Sequence, residues 1–293
     1  MIFSFSDLHK AIQSNLHLIP RSVDLIVAIP RSGLLPGMHV ATSLNLPLIT
    51  LGELQGQDFL EQRFTARKYL SLRSYPKNIL VIDDSSNTGS RINQAREIIS
   101  KKWPRAKVSS FTVFKAKNSS FSPDYWIISS DTPRVFAWNM FNHNQLTEEI
   151  AIDLDGILCP DPTSQENDDG DKYLNFIQNT TLKVGPLFAV KAIVTGRLEK
   201  YRKPTEKWLQ KNRVQYGELV MNDAPDALFR RTKKFVTDFG EVDQISDFKS
   251  QALIRIKPLL FVESNLNQAM NITKLTSTTT YAFDDDLVIH PNT

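Results

Sequence analysis

The chain has a single cysteine in 293 residues, Cys159, so no internal disulfide can form. That fits a reducing compartment and gives Cys159 the reading of a small buried hydrophobe. No apolar run approaches the about 18 residues that a membrane span needs, which excludes an integral membrane helix. The start, Met1 to Asn15, lacks a basic segment followed by a long apolar one and reads as an amphipathic helix rather than a secretory signal. The expected location is therefore cytoplasmic, compatible with peripheral membrane contact and with an oligomer. No basic block is present, so nucleic acid is not an expected partner. Internal repeats and low-complexity tracts are also missing, and Thr163 to Asp171 is simply a polar loop.

What is present is an ordinary globular composition, 41% hydrophobic and 23% charged, over a length that favours two domains each burying its own core. The net charge of +3 is divided unevenly. Residues 1–147 hold 17 Lys+Arg against 10 Asp+Glu, a balance of +7, whereas residues 148–293 hold 18 against 22, a balance of −4. One half suits a polyanionic ligand and the other a cation. Apolar, β-branched runs at Val23–Pro30, Asn78–Asp84 and Lys107–Lys115 alternate with helical patterns at Leu34–Leu44 and Ser90–Trp103. The rhythm restarts after the polar stretch Phe141–Glu149, with strands expected at Glu149–Gly156, Phe188–Arg197, Leu219–Asp223 and Leu259–Ser264. The expected fold class is α/β: two domains, 1–147 and 148–293, each a mostly parallel sheet flanked by helices.

The segment "ILVIDDSSNTGS" (Ile79–Ser90) delivers two carboxylates and a hydroxyl-rich loop to the carboxyl end of a buried strand, where ligands of open α/β sheets bind. Backbone N–H groups at the following helix start favour a phosphate, Gly89 permits close approach, and carboxylates accept hydrogen bonds from a sugar diol. As a bare pattern it is also the shape of an ordinary strand-to-helix turn. The segment resembles the phosphoribosyl pyrophosphate (PRPP) signature of type I phosphoribosyltransferases, and "VAIPRSGLLPG" (Val27–Gly37) resembles that family's pyrophosphate loop, with Ser32 in place of a more usual glycine. The resemblance covers most of residues 20–140. It implies that Asp83 and Asp84 hold the ribose hydroxyls, that Ser85, Ser86, Asn87, Thr88, Gly89 and Ser90 wrap the 5-phosphate, and that Arg31, Ser32 and Gly33 bind pyrophosphate. Leu51–Leu72 corresponds to the family's mobile hood, where Arg63, Arg67 and Lys68 are more readily surface charges than ligands. No general base is identifiable, and His39 and His143 are read as structural or surface residues.

A second strand, "EIAIDLDGILC" (Glu149–Cys159), ends in Asp-x-Asp-Gly. Residues i and i+2 of an extended segment face one side, so Asp153 and Asp155 can address one group. A bare DxDG is also a calcium-loop pattern, disfavoured by the buried strand before it. The stretch resembles motif I of the haloacid dehalogenase superfamily, with Thr195 of "AIVTGR", Lys249 and Glu263 matching its later motifs in order. The resemblance implies that Asp153 is the phosphate-attacking nucleophile and Asp155 the proton carrier, first acid and then base. It further implies that Thr195 and Lys249 grip the phosphoryl group and that Mg2+ is held by Asp153, Asp155 and Glu263. Ser264 stands where a second acidic residue is common, and the short insert Asp161–Gly185 suggests an open site with a minimal cap.

Joined in one chain, the two halves imply transfer of 5-phosphoribosyl from PRPP to an acceptor and removal of the 5-phosphate. This resembles the phosphoribosyltransferase and phosphoribosyl-phosphatase pair of bacterial ribofuranose-containing glycan biosynthesis, with a lipid-linked glycan of surface polysaccharide assembly as acceptor. The alternatives are ribosylation of a nucleobase followed by dephosphorylation, or a phosphatase regulated by a non-catalytic PRPP-sensing domain.

Overall fold

Ser4 and Asp7 start the first helix, α1 (Phe5–Asn15), with a capping box: the Asp7 N–H donates to Ser4 Oγ at 3.0 Å and the Ser4 N–H to Asp7 Oδ2 at 2.9 Å. The computed structural model describes residues 2–55, 75–131, 134–238 and 240–291, which divide into two units at Arg134/Val135. After a short strand β1 (Ile2–Phe3), the first contains α1 and the elements β2 (Leu25–Ala28), α2 (Leu34–Leu44), β3 (Leu48–Thr50), α3 (Leu51–Gln55), β4 (Asn78–Ser86), α4 (Ser90–Lys102), β5 (Lys107–Ala116) and β6 (Tyr125–Ser130). Its five-stranded sheet has the order β3-β2-β4-β5-β6 and is parallel throughout. Leu25–Ala28 and Ile79–Ile82 are fully buried, as expected of central parallel strands covered on both faces. On one face Leu25, Val27, Ile79 and Val81 pack against Ile92, Ala95 and Ile99, the helical stripe that seats α4.

The second unit contains β7 (Val135–Phe136), α5 (Asn144–Thr147), β8 (Ile150–Ile152), α6 (Asp171–Asn179), β9 (Val190–Leu198), α7 (Arg202–Lys211), β10 (Tyr216–Asn222) and α8 (Ala227–Thr232). There follow a hairpin of β11 (Lys234–Thr237) and β12 (Gly240–Asp243), then α9 (Gln244–Ile256), β13 (Leu260–Glu263), α10 (Leu266–Thr276), β14 (Thr280–Ala282) and β15 (Leu287–Ile289). The six-stranded sheet runs β10-β9-β8-β13-β14-β15, parallel except for the antiparallel last strand. Both sheets are therefore α/β with flanking helices.

The units part at Arg134/Val135, upstream of the expected 147. Val135, Met140 and Phe141 join the core that holds Ile150 and Ile152, while Asn144 and Gln145 point to solvent. Thr147 is buried and its hydroxyl bonds the Met140 and His143 carbonyls, each at 2.8 Å. The polarity that resembles a linker is only the outer face of a packed segment. The polar loop at 163–171 is likewise tied down: buried Asp169 pairs with Arg230 at 3.1 Å, and Arg231 donates to Asn167 Oδ1 at 2.9 Å. No described helix is long and apolar enough to cross a membrane.

Candidate active sites

At the carboxyl end of the first sheet, strand order makes β2 and β4 neighbours, with Ala28 opposite Ile82. The turn after β2 and the two aspartates of β4 thus emerge side by side. They touch: a Cβ at Gly33 would lie 2.4 Å from the Ile29 carbonyl oxygen, 2.9 Å from Asp83 Oδ1 and 3.0 Å from Asp83 Cα. Only glycine fits there. Arg31, Ser32 and Gly33, and Asp83 and Asp84, are brought to one place although some 50 residues separate them in sequence. The Pro30–Arg31 peptide is cis.

The turn beyond the aspartates is shorter than the sequence suggests. Ser85 and Ser86 belong to β4, opposite Phe114 and Lys115, and Ser86 is buried. Asn87, Thr88 and Gly89 make the turn, and α4 opens at Ser90 from a left-handed Gly89 with φ 72°. Gly89 has no side chain to cap this helix, and the Ser90 N–H makes only a long contact with Thr88 Oγ1 at 3.5 Å, so the helix start can present N–H groups to a ligand. Asp84 is 7% exposed, and its own N–H donates to Asp83 Oδ1 at 2.9 Å. Burial, and then the charge of Asp84, push the Asp83 carboxyl up to about 8. Arg91 acts on Asp83 and half-buried Arg134 on Asp84; neither arginine was singled out by motif. Among the described residues, buried Ser86 Oγ and Thr112 Oγ1 have no hydrogen-bond partner. Arg63, Arg67 and Lys68 of the hood lie outside the described residues.

In the second unit, side-chain alternation builds the site. Ala151 and Phe261 pack on the α9 side of the sheet with Ala252 and Leu253, so the residues two further along, Asp153 and Glu263, emerge on that same side. Lys249 lies on the helix face of Ala252 and Leu253 and meets them. Its Nζ donates to Asp153 Oδ2 and to Glu263 Oε2, both at 2.7 Å, and to Gln268 Oε1 at 3.0 Å. All three charged groups are buried. Burial opposes the Lys249 charge, but the two carboxylates outweigh it and hold the ammonium above its ordinary value. Burial also pushes the Asp153 carboxyl up, with Lys249 pulling the other way. Asp243 caps α9 through the Ser246 N–H at 2.8 Å, fixing the helix that carries the lysine.

Asp155 does not share this group. Its neighbour Leu154 begins a tight turn, accepting from the Ile157, Leu158 and Cys159 N–H groups, and the i, i+2 relation with Asp153 is lost. The Asp155 carboxylate is instead clamped by Arg197, with Nη2 to Oδ1 at 2.6 Å and Nε to Oδ2 at 3.0 Å. Tyr173 donates to Oδ2 at 3.3 Å and the Cys159 thiol to Oδ1 at 3.2 Å. Burial would raise the Asp155 carboxyl, but the Arg197 guanidinium holds it below the usual range. In this arrangement the Asp155 carboxylate is engaged by that ion pair rather than directed to the Asp153 group. Among the described residues no three His, Cys, Asp or Glu side chains are placed to hold a metal ion. The expected Mg2+ set of Asp153, Asp155 and Glu263 does not assemble.

Thr195 is buried, accepting from the Arg197 N–H at 3.2 Å. Ser264 donates to the Asp155 carbonyl at 3.3 Å, and a Cβ on Gly156 would meet both Ser264 Oγ and Asp161 Oδ2. Within the insert, Tyr173 of α6 reaches Asp155. Arg197 is the residue that sequence reasoning missed. Its signal was its place two positions after Thr195 in an extended strand, which turns it to the same side.

Residues 7–145 match the family profile described as "Phosphoribosyl transferase domain". Over 146 residues the chain is 27% identical to xanthine-guanine phosphoribosyltransferase of Idiomarina loihiensis, covering 48% of this chain and 87% of that one. Among solved structures, purine phosphoribosyltransferase of Pyrococcus horikoshii aligns at 20% identity and TM-score 0.37 over 47% of this chain and 92% of its own. The xanthine-guanine-hypoxanthine phosphoribosyltransferase of Helicobacter pylori aligns at 16% identity and TM-score 0.37 over 47% and 91%.

Proposed function

The N-terminal half of this chain being a type I phosphoribosyltransferase domain, we propose that it transfers the 5-phosphoribosyl group of PRPP to an acceptor and that the second domain then removes the 5-phosphate. The observation that supports the first step is the contact of Gly33 with Asp83, which sets the turn read as the pyrophosphate loop against a carboxylate read as ribose-binding. The anomeric carbon loses its bond to pyrophosphate oxygen and gains one to the acceptor, which gives up a proton. Positive charge on the ribose is opposed by Asp83 and Asp84, and negative charge on the leaving group by Arg31. Burial first, and then the Asp84 charge, raise the Asp83 carboxyl, and a divalent cation arriving with the substrate would favour its ionised form. Mg2+ bound there would withdraw charge from the departing pyrophosphate.

For the second domain, the support is the Asp153–Lys249–Glu263 cluster, which pairs a nucleophile with a cation for the phosphoryl group. An Asp153 oxygen would bond to phosphorus as the sugar oxygen leaves and takes a proton from solvent, and a water would then attack the acyl phosphate, releasing phosphate and restoring the Asp153 carboxyl. No step is assigned to a metal ion, since the expected ligand set does not fit. The finished product would carry unphosphorylated ribofuranose, with a lipid-linked glycan as acceptor. A second reading, a nucleobase acceptor, is favoured by the xanthine-guanine relative.

Mass spectrometry of products from wild type, Asp153→Asn and Asp84→Asn, supplied with PRPP, lipid-linked acceptors and purine bases, tests both steps. Phosphoribosylated product is expected to accumulate with Asp153→Asn and none to form with Asp84→Asn. Finished ribosyl product from Asp153→Asn refutes the nucleophile, and the mass of the adduct decides between acceptors.

A further inference from the structure

The segment between β5 and β6 lies directly on the Asn87–Gly89 turn. A Cβ added to buried Gly89 would fall 2.2 Å from Cγ and Cδ2 of Phe121, so the phenyl ring rests against the glycine Cα. Phe121 also packs on the core cluster that includes Ile92 and Ala95 of α4. Beside it, Ser119 Oγ hydrogen-bonds the main-chain carbonyl of Asn87. The same oxygen accepts from the Phe121 N–H at 3.1 Å and lies 2.8 Å from the Phe121 carbonyl. The Ser119 N–H in turn donates to the Ala116 carbonyl at 3.1 Å, anchoring the contact to the end of β5.

A turn that ends on a left-handed glycine has wide conformational freedom, and an ensemble that must be ordered on binding lowers apparent affinity by the fraction not already competent. We propose that Ser119 and Phe121 are positioning residues for the 5-phosphate: they touch no substrate atom but fix the turn so that its N–H groups, and those opening α4, converge before PRPP arrives. This rests on the reading of Asn87–Ser90 as the 5-phosphate seat. The brace acts on one end of PRPP only, since Arg31–Gly33 belongs to a different turn.

Calorimetric binding of ribose 5-phosphate and, separately, of inorganic pyrophosphate to the full chain tests it, together with KM and kcat for PRPP. Phe121→Ala is expected to weaken ribose 5-phosphate and raise KM by about 10-fold, the effect of a competent fraction near one tenth, with pyrophosphate affinity and kcat within about 2-fold. Ser119→Ala gives a smaller shift of the same kind, and Phe121→Tyr and Ser119→Thr, which keep the ring and the hydroxyl, stay near wild type. Should Phe121→Ala fail to fold, Ser119→Ala carries the test. Equal losses for both probes, or none for ribose 5-phosphate while wild type binds it, overturn the brace alone. Failure of wild type to bind ribose 5-phosphate overturns the seat, and the brace with it.

Discussion

Two pairs of aspartates lie at the carboxyl-end regions of two central strands, and their charges are handled in opposite ways. Asp83 and Asp84 are consecutive, and among the described residues neither has a salt-bridge partner; burial and then the neighbouring Asp84 charge push the Asp83 carboxyl up to about 8. Asp153 and Asp155 are each given a buried cation of their own, Lys249 and Arg197. The first pair is unfinished without a ligand. The second is closed on itself, so its charges hold the domain together as well as serving any chemistry.

The comparison is broken most severely by removing one of those cations. Lys249→Met leaves Asp153 and Glu263 buried without a counter-charge, and a loss of about 3–5 kcal/mol is expected in urea unfolding of the second domain. Arg197→Met costs a similar amount, and adding Asp155→Asn returns much of it because the stranded charge goes too. In the first domain Asp84→Asn is expected to abolish PRPP consumption while leaving unfolding little changed. Unfolding that falls as far with Asp84→Asn as with Lys249→Met denies the contrast.

Gly89→Ala comes next. It places a methyl in the Phe121 ring and forces a side chain into the left-handed region at φ 72°, for an expected cost of about 2 kcal/mol in thermal unfolding. A further test is in pH. Folded Asp83 keeps its proton up to about 8, whereas an unfolded aspartate releases it near 3.8. Folding therefore takes up a proton across that window, and stability declines as pH rises through it. Asp83→Asn is expected to flatten that part of the profile; an unchanged slope means the carboxyl is not perturbed.

The helices and strands were legible because periodicity is local. Leu34–Leu44 forms α2, and Asn78, Lys107 and Leu260 open β4, β5 and β13, each within a segment whose apolar pattern names its type. Asp153, Lys249 and Glu263 were legible as a set through motif order, and the structure brings them together. What sequence did not carry were pairings decided by side chains far apart in the chain. Arg197 reaches back 42 positions to Asp155, and Asp169 across 61 to Arg230. The turn at Leu154 that separates Asp153 from Asp155 was equally hidden, because alternation in a strand is extrapolated past its end only by assuming that the chain stays extended. Phe121 on Gly89 belongs with these: an aromatic in a polar loop gives no sign of what it covers.

The tight seat of Gly33 against Asp83 has one more implication. A displacement of the turn is also a displacement of the carboxylate, so the two ends of any molecule bridging them are sensed as one object. Fragments presented separately should then bind with affinities that do not simply multiply to that of the intact substrate, and the shortfall or surplus would measure how stiffly this junction couples them.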